Sequence, residues 1–147
     1  MSREMSADFF MRDTRSATRI RAIVARVFSV PVSHVAIRVV GSETPYPADA
    51  EVLVHHFTPS LPGDFPEQYI LAAESDRMPR LPATFKALAR ELDTAVLIGA
   101  NPGMHLYLAD GSVHTVELDQ DETDAFHLPP EIRALIDRAT PPVAVAL

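Results

Sequence analysis

No cysteine occurs anywhere in the chain. Disulfide staples, thiolate zinc sites and cysteine nucleophiles are thereby excluded. Nor is there an apolar run approaching the ~18 residues that a membrane-crossing helix needs. The first stretch, MSREMSADFFMRDTRSATRIRAIVARVF, carries charges throughout in place of an apolar leader core. A cytoplasmic location is therefore expected. Also missing are a glycine-rich phosphate loop, a His-Glu-x-x-His pair, the calcium-loop spacing and a Gly-x-Ser-x-Gly elbow. Lysine is nearly absent, since only Lys86 accompanies the arginines, a coding bias of GC-rich bacterial genomes more than a physical signal.

What is present suits one ordinary domain. The 147 residues are 47% hydrophobic and 22% charged, close to globular averages, and the length predicts one core spanning 1–147. The net charge of −7 is uneven. Residues 1–38 hold seven arginines against three acids, whereas residues 39–147 hold six cationic side chains against seventeen acids. An acidic body disfavours direct nucleic-acid binding, because phosphate contact needs clustered cations, and it favours a basic partner.

Periodicity sets the expected elements. Residues 1–12 show little of it and read as a flexible start, although Phe9 and Phe10 could tuck under the domain. From Thr14, the residues Ile20, Ile23, Val24, Val27 and Phe28 recur at helical spacing until Pro31, with Arg12, Arg15, Arg19 and Arg26 on a neighbouring stripe. That stripe reads as a solvated face or one paired to the acidic body. SHVAIRVVG, EVLVHHF and EQYILAA then read as three successive strands, an antiparallel meander. A helix is expected from Pro82 to about Leu92, TAVLIG as a central strand, PPEIRALIDRA as a short helix, and 140–147 as a tail or edge strand. The fold class is α+β, with a mostly antiparallel sheet of five to seven strands, an N-terminal helix, a central packed helix and a short C-terminal helix.

Six histidines invite a search for chemistry. His55 and His56 are adjacent in a strand, so their side chains point to opposite faces and cannot share one ion. The segment MHLYLADGSVHTVELD reads as a hairpin turning on Asp110-Gly111. A two-residue turn would place His105, Tyr107, His114 and Val116 on one face, with Met104, Leu106, Leu108 and Val113 on the core face. The first set offers an acid–base cluster or an aromatic cross-strand pair. Asp110 and Ser112 flank the turn glycine, so turn chemistry explains them without a catalytic triad.

Between Asp110 and Asp124 lie six acids, Asp110, Glu117, Asp119, Asp121, Glu122 and Asp124, without a lysine or arginine. A solvated loop, a divalent-cation site and a docking surface for a basic partner compete. The carboxylate count suits calcium, but the glycine of a calcium loop is missing, and no metal or cofactor is expected. Dense like charge is relieved by an opposing cationic surface, which it also steers.

From Leu81 onward, LPATFKALARELDTAVLIGANPGMHLYLADGSVHTVELD followed by DQDETDAF resembles small bacterial immunity proteins that protect against secreted or contact-delivered toxins. The resemblance implies an acidic inhibitory face and a small basic toxin, often a nuclease, as partner. The expected function is therefore binding, with no catalytic residue, through Asp119, Asp121, Glu122 and Asp124. A secretion chaperone or adaptor, and a small hydrolase using His105, Tyr107 and His114, are the alternatives.

Overall fold

The computed structural model of the chain describes residues 4–41, 46–57, 63–99, 103–117, 119–120 and 126–139. Its strands are β1 (Glu4–Met11), β2 (Val35–Val39), β3 (Val52–His56), β4 (Glu67–Glu74), β5 (Val96–Gly99), β6 (Met104–Tyr107), β7 (Val113–Val116), β8 (Asp119–Gln120) and β9 (Phe126–His127). Helices α1 (Ala17–Phe28), α2 (Leu81–Glu91) and α3 (Pro130–Ala139) complete an α+β architecture. The main sheet has seven strands in the order β2-β3-β4-β1-β5-β6-β7, and β8 pairs separately with β9.

The start of the chain corrects the expectation of a flexible segment. β1 lies in the middle of the sheet, pairing antiparallel with β4 over its whole length and with β5 over Phe9–Met11. Its residues alternate: Phe9 and Met11 are fully buried toward α1 and α2, while Phe10 turns to the opposite face. The partners that complete this strand come from residues 67–74 and 96–98, so no local window reveals its central place. Its last three residues, Phe9–Met11, meet apolar layers on both faces and make this strand the spine of the fold.

A second correction concerns β2 and β3, which run parallel rather than as part of a meander. The chain between them, residues 40–51, has about the dozen residues that a parallel connection requires. The remaining neighbours in the main sheet are antiparallel.

Both long helices seat apolar faces on one side of the sheet. α1 contributes Ile20, Ile23, Val24 and Phe28, and α2 contributes Phe85, Leu88 and Ala89. On the other side α3 supplies Ile132, Leu135 and Ile136, packed with Phe65, Leu97, Leu106 and Leu128 over the β5–β7 half. α1 ends in a Schellman motif made without glycine: Ser29 is left-handed at φ 57°, its N–H reaches Arg26 O, and Val30 N–H reaches Ala25 O at 3.0 Å. Asp93, at φ 54°, plays the same part after α2, with Thr94 N–H on Ala89 O at 3.0 Å.

Three arginines of the stripe, Arg15, Arg19 and Arg26, are spent on that second helix end, whereas Arg12 lies 3.8 Å from Asp137 of α3. Arg15 donates to Leu92 O at 2.8 Å and Asp93 O at 3.1 Å, and Arg19 donates to Glu91 O at 2.7 Å. Arg26 grips the Glu91 carboxylate with two nitrogens, holding it below the ordinary carboxylate range. These contacts satisfy carbonyls that a helix leaves without partners and place positive charge at the negative end of its dipole.

Phe9 stacks on Tyr69 with ring centroids 5.0 Å apart and meets Phe85 at 5.5 Å, joining β1, β4 and α2. Phe9→Ala is expected to cost about 3–5 kcal/mol, measurable as a lowered midpoint in urea unfolding. A loss under 1 kcal/mol would mean that β1 is not held as described.

Candidate functional site

β8 and β9 pair antiparallel, Asp119 with His127 and Gln120 with Phe126. The chain joining Gln120 to Phe126 contains Asp121, Glu122 and Asp124, and these three expected site residues lie outside the described residues. Asp119 is placed through its backbone, in β8. The exit from this pair is tied to the body at Asp64, whose Oδ2 accepts the Leu128 N–H at 2.8 Å and faces Arg133 of α3 at 3.5 Å. Leu128 and Ile136 are buried beneath it.

Of the remaining acids in the run, Glu117 is exposed just after β7. Asp110 sits at the opposite end of β7, in the turn from β6, and is occupied there. Its Oδ1 accepts the Ser112 N–H at 2.8 Å and the Ser112 hydroxyl at 2.5 Å, which holds its carboxyl below the ordinary range. Asp110 is thereby committed to its turn.

The β6–β7 hairpin differs from the expected register by one residue. Tyr107 pairs with Val113, Leu106 with His114 and His105 with Thr115, so the turn contains Ala109, Asp110 and Gly111 rather than two residues. Gly111 N–H returns to Leu108 O at 3.0 Å, and Gly111 adopts φ 90°, the arrangement of a three-residue loop ending in a left-handed glycine. A one-residue slip changes the face of every side chain on one strand relative to the other. His105 and Tyr107 share the α1/α2 face, where Tyr107 is buried against Phe85 at 5.8 Å. His114 lies with Leu106 and Val116 on the α3 face. The His105, Tyr107 and His114 cluster is not assembled.

His114 instead meets Ser112, with Nε2 at 3.0 Å from Oγ. Since the Ser112 hydroxyl donates to Asp110, it can only accept from the imidazole, so His114 donates. A nucleophilic serine requires the reverse, a histidine that accepts the hydroxyl proton and is oriented by the acid. The order Asp-Ser-His here builds a turn.

The other histidines are held by residues distant in sequence. His55 and His56 do point to opposite faces. His55 Nδ1 lies 2.5 Å from the Tyr46 hydroxyl, whose ring carries the Arg38 guanidinium at 4.7 Å. On the helix face, His56 stacks on Tyr69 at 4.4 Å and reaches the buried Glu67 carboxylate at 2.7 Å, to which Thr14 also donates at 2.6 Å. Burial and the neighbouring Glu67 push the Tyr69 phenol up to about 12. His34 joins Glu51 at 2.6 Å, and Arg77 reaches the other oxygen of the same carboxylate at 2.6 Å; His34 first and then Arg77 hold Glu51 below the ordinary range. The sequence signals none of these partnerships, because Tyr46, Glu51 and Glu67 lie in or beside loops of no fixed period. Among the described residues, no group of three or more His, Asp or Glu side chains is gathered to hold a metal ion.

The three lowered carboxyls, Glu51, Glu91 and Asp110, give a pH dependence of defined sign. Each binds its proton less readily when folded, so its contribution is complete above the unfolded value, 4.5 for the glutamates and 3.8 for the aspartate, and is lost as pH falls through the lower folded value. Glu91→Gln should flatten the acid limb of the stability curve, followed by denaturant titration below pH 5; an unchanged limb would count against the Arg26 contact. In the hairpin, Gly111→Ala should cost about 1 kcal/mol or more through its positive φ. Comparison with known proteins finds no family model, no curated protein and no solved structure that matches this chain.

Proposed function

We propose that this chain is a cytoplasmic binding protein of the immunity type. It occludes the active site of a basic toxin domain, such as a small nuclease, through Asp119, Asp121, Glu122 and Asp124. The observation that carries the reading is the β8–β9 pairing. Three of the five residues between the two paired strands are acidic. The clamp of Leu128 on Asp64 and the packing of α3 support it from behind.

Charge distribution strengthens the argument. Arg15, Arg19 and Arg26 are engaged at the end of α2, under the helix face of the sheet. An acidic stretch such as 119–124 steers a cationic partner, the more so as ionic strength falls. Blockade of an active site by fit and charge requires no chemistry from the inhibitor. The hydrolase alternative loses its His105, Tyr107 and His114 cluster to the hairpin register.

Pull-down from native lysate, with mass identification, compares the unaltered protein with one carrying lysine at 119, 121, 122 and 124. The expected result is a basic protein retained at low salt and released both by high salt and by the charge reversal. Measured on that isolated partner, reversal should slow association by about 10- to 1000-fold at low ionic strength. A partner retained equally by both forms at any salt concentration would remove the acidic stretch from the interface.

A further inference from the structure

β2 ends the seven-stranded sheet, so one side of its backbone faces away from β3. Val40 N–H donates to His56 O, and His34 O accepts from Glu51 N–H, which turns the backbone groups of residues 34 and 40 toward β3. By the alternation of an extended chain, residues 36 and 38 follow them and Val35, Ile37 and Val39 direct theirs outward. The Val35 N–H is taken by Val32 O. The N–H groups of Ile37 and Val39 and the carbonyls of Val35, Ile37 and Val39 remain along the edge, with no strand beyond them among the described residues.

A cleft of about 380 Å³ follows this edge, with Arg21, Ser33, Ile37, Arg38, Val39 and Pro47 among its walls. Arg21 enters it from α1, apart from the arginines that serve α2, and its Nε is buried without a hydrogen-bond partner among the described residues. An unsatisfied buried donor is costly, and a carboxylate accepts from a guanidinium in a matching planar fork. Exposed Val39 and Val40 add apolar surface beside the edge.

We propose that the outer edge of β2 docks an extended, carboxylate-rich segment of a partner protein, which joins the sheet as an added strand with acidic side chains against Arg21 and Arg38. Addition to a sheet edge draws affinity from main-chain bonds and selectivity from side chains on the two faces. A second copy of this chain fits less well, because β2 against β2 brings Arg21 and Arg38 of one copy toward those of the other. The inference is independent of the acidic stretch at β8–β9.

The test titrates the full-length, nitrogen-15-labelled protein with a capped synthetic peptide of glutamate, valine and threonine, its glutamates placed on both faces of a strand. The expected result is shifted and exchange-protected amides at Ile37 and Val39, a shifted Arg21 Nε–H, and binding weakened about 10-fold or more by Arg21→Glu, a change at a half-buried residue whose fold the same spectrum verifies. The same peptide with lysine for glutamate should leave those signals unmoved, and methylation of alternate peptide nitrogens should abolish the effect. Shifts elsewhere or none, an equal response to the lysine peptide, or indifference to methylation would overturn the proposal. So would protection of Ile37 and Val39 in the free protein together with a dimer in sedimentation, which would assign the edge to self-association.

Discussion

Everything in this fold depends on β1 being inserted between β4 and β5. Without it the remaining six strands separate into β2-β3-β4 and β5-β6-β7. The insertion is a long-range event: Met11 pairs with Glu67 on one side and Val96 on the other, so most of the domain must be available before its first strand is held. Phe9 then joins Tyr69 and Phe85, which ties the sheet centre to α2, while Phe10 lies against the cluster beneath α3. One strand thus couples the two cores, and loop-closure entropy makes that coupling slow to form compared with the local hairpin of β6 and β7.

The second organising constraint is electrostatic. The chain concentrates arginine in its first quarter, and the structure uses Arg15, Arg19 and Arg26 to complete the end of a helix formed from residues 81–91. Exposed ion pairs contribute little by themselves. Donation to helix-terminal carbonyls is different, because those groups have no other partner within the helix. These contacts therefore help to fix how α1 lies against α2.

The sequence made the helices legible because each carries an apolar face long enough to show its period: Ile20, Ile23, Val24 and Phe28 in α1, and Phe85, Leu88 and Ala89 in α2. β1 carried the alternation of a strand in Met5-Ser6-Ala7-Asp8-Phe9, a signal that the expectation of a flexible start missed, and its partners, more than fifty residues away, left its central place invisible. The parallel pairing of β2 and β3 was hidden for a related reason: alternation reveals a strand but not the direction of its neighbour. At the hairpin, Asp110-Gly111 correctly marked the turn, but the same dipeptide serves two- and three-residue loops, and the difference decides which face His114 occupies. The acidic stretch was read from composition alone, and β8–β9 added the ladder that frames it. Pairings such as Tyr46 with His55 and His56 with Glu67 needed the fold, because a side chain's partner across a sheet is set by register and not by spacing along the chain.

Register and strand order also separate the two charged regions. α3 and Leu128, which anchor the β8–β9 pair, pack on the β5–β7 half, whereas Arg21 and Arg38 flank β2 at the opposite edge. Six inter-strand steps of roughly 4.8 Å place the two edges about 30 Å apart before twist shortens the path. That distance exceeds the screening length of about 8 Å at physiological salt, so Arg21 and Arg38 barely act on Glu117, which follows β7. A sheet built with β2 beside β7 would have paired these charges and cancelled both. The order that β1 imposes keeps them apart.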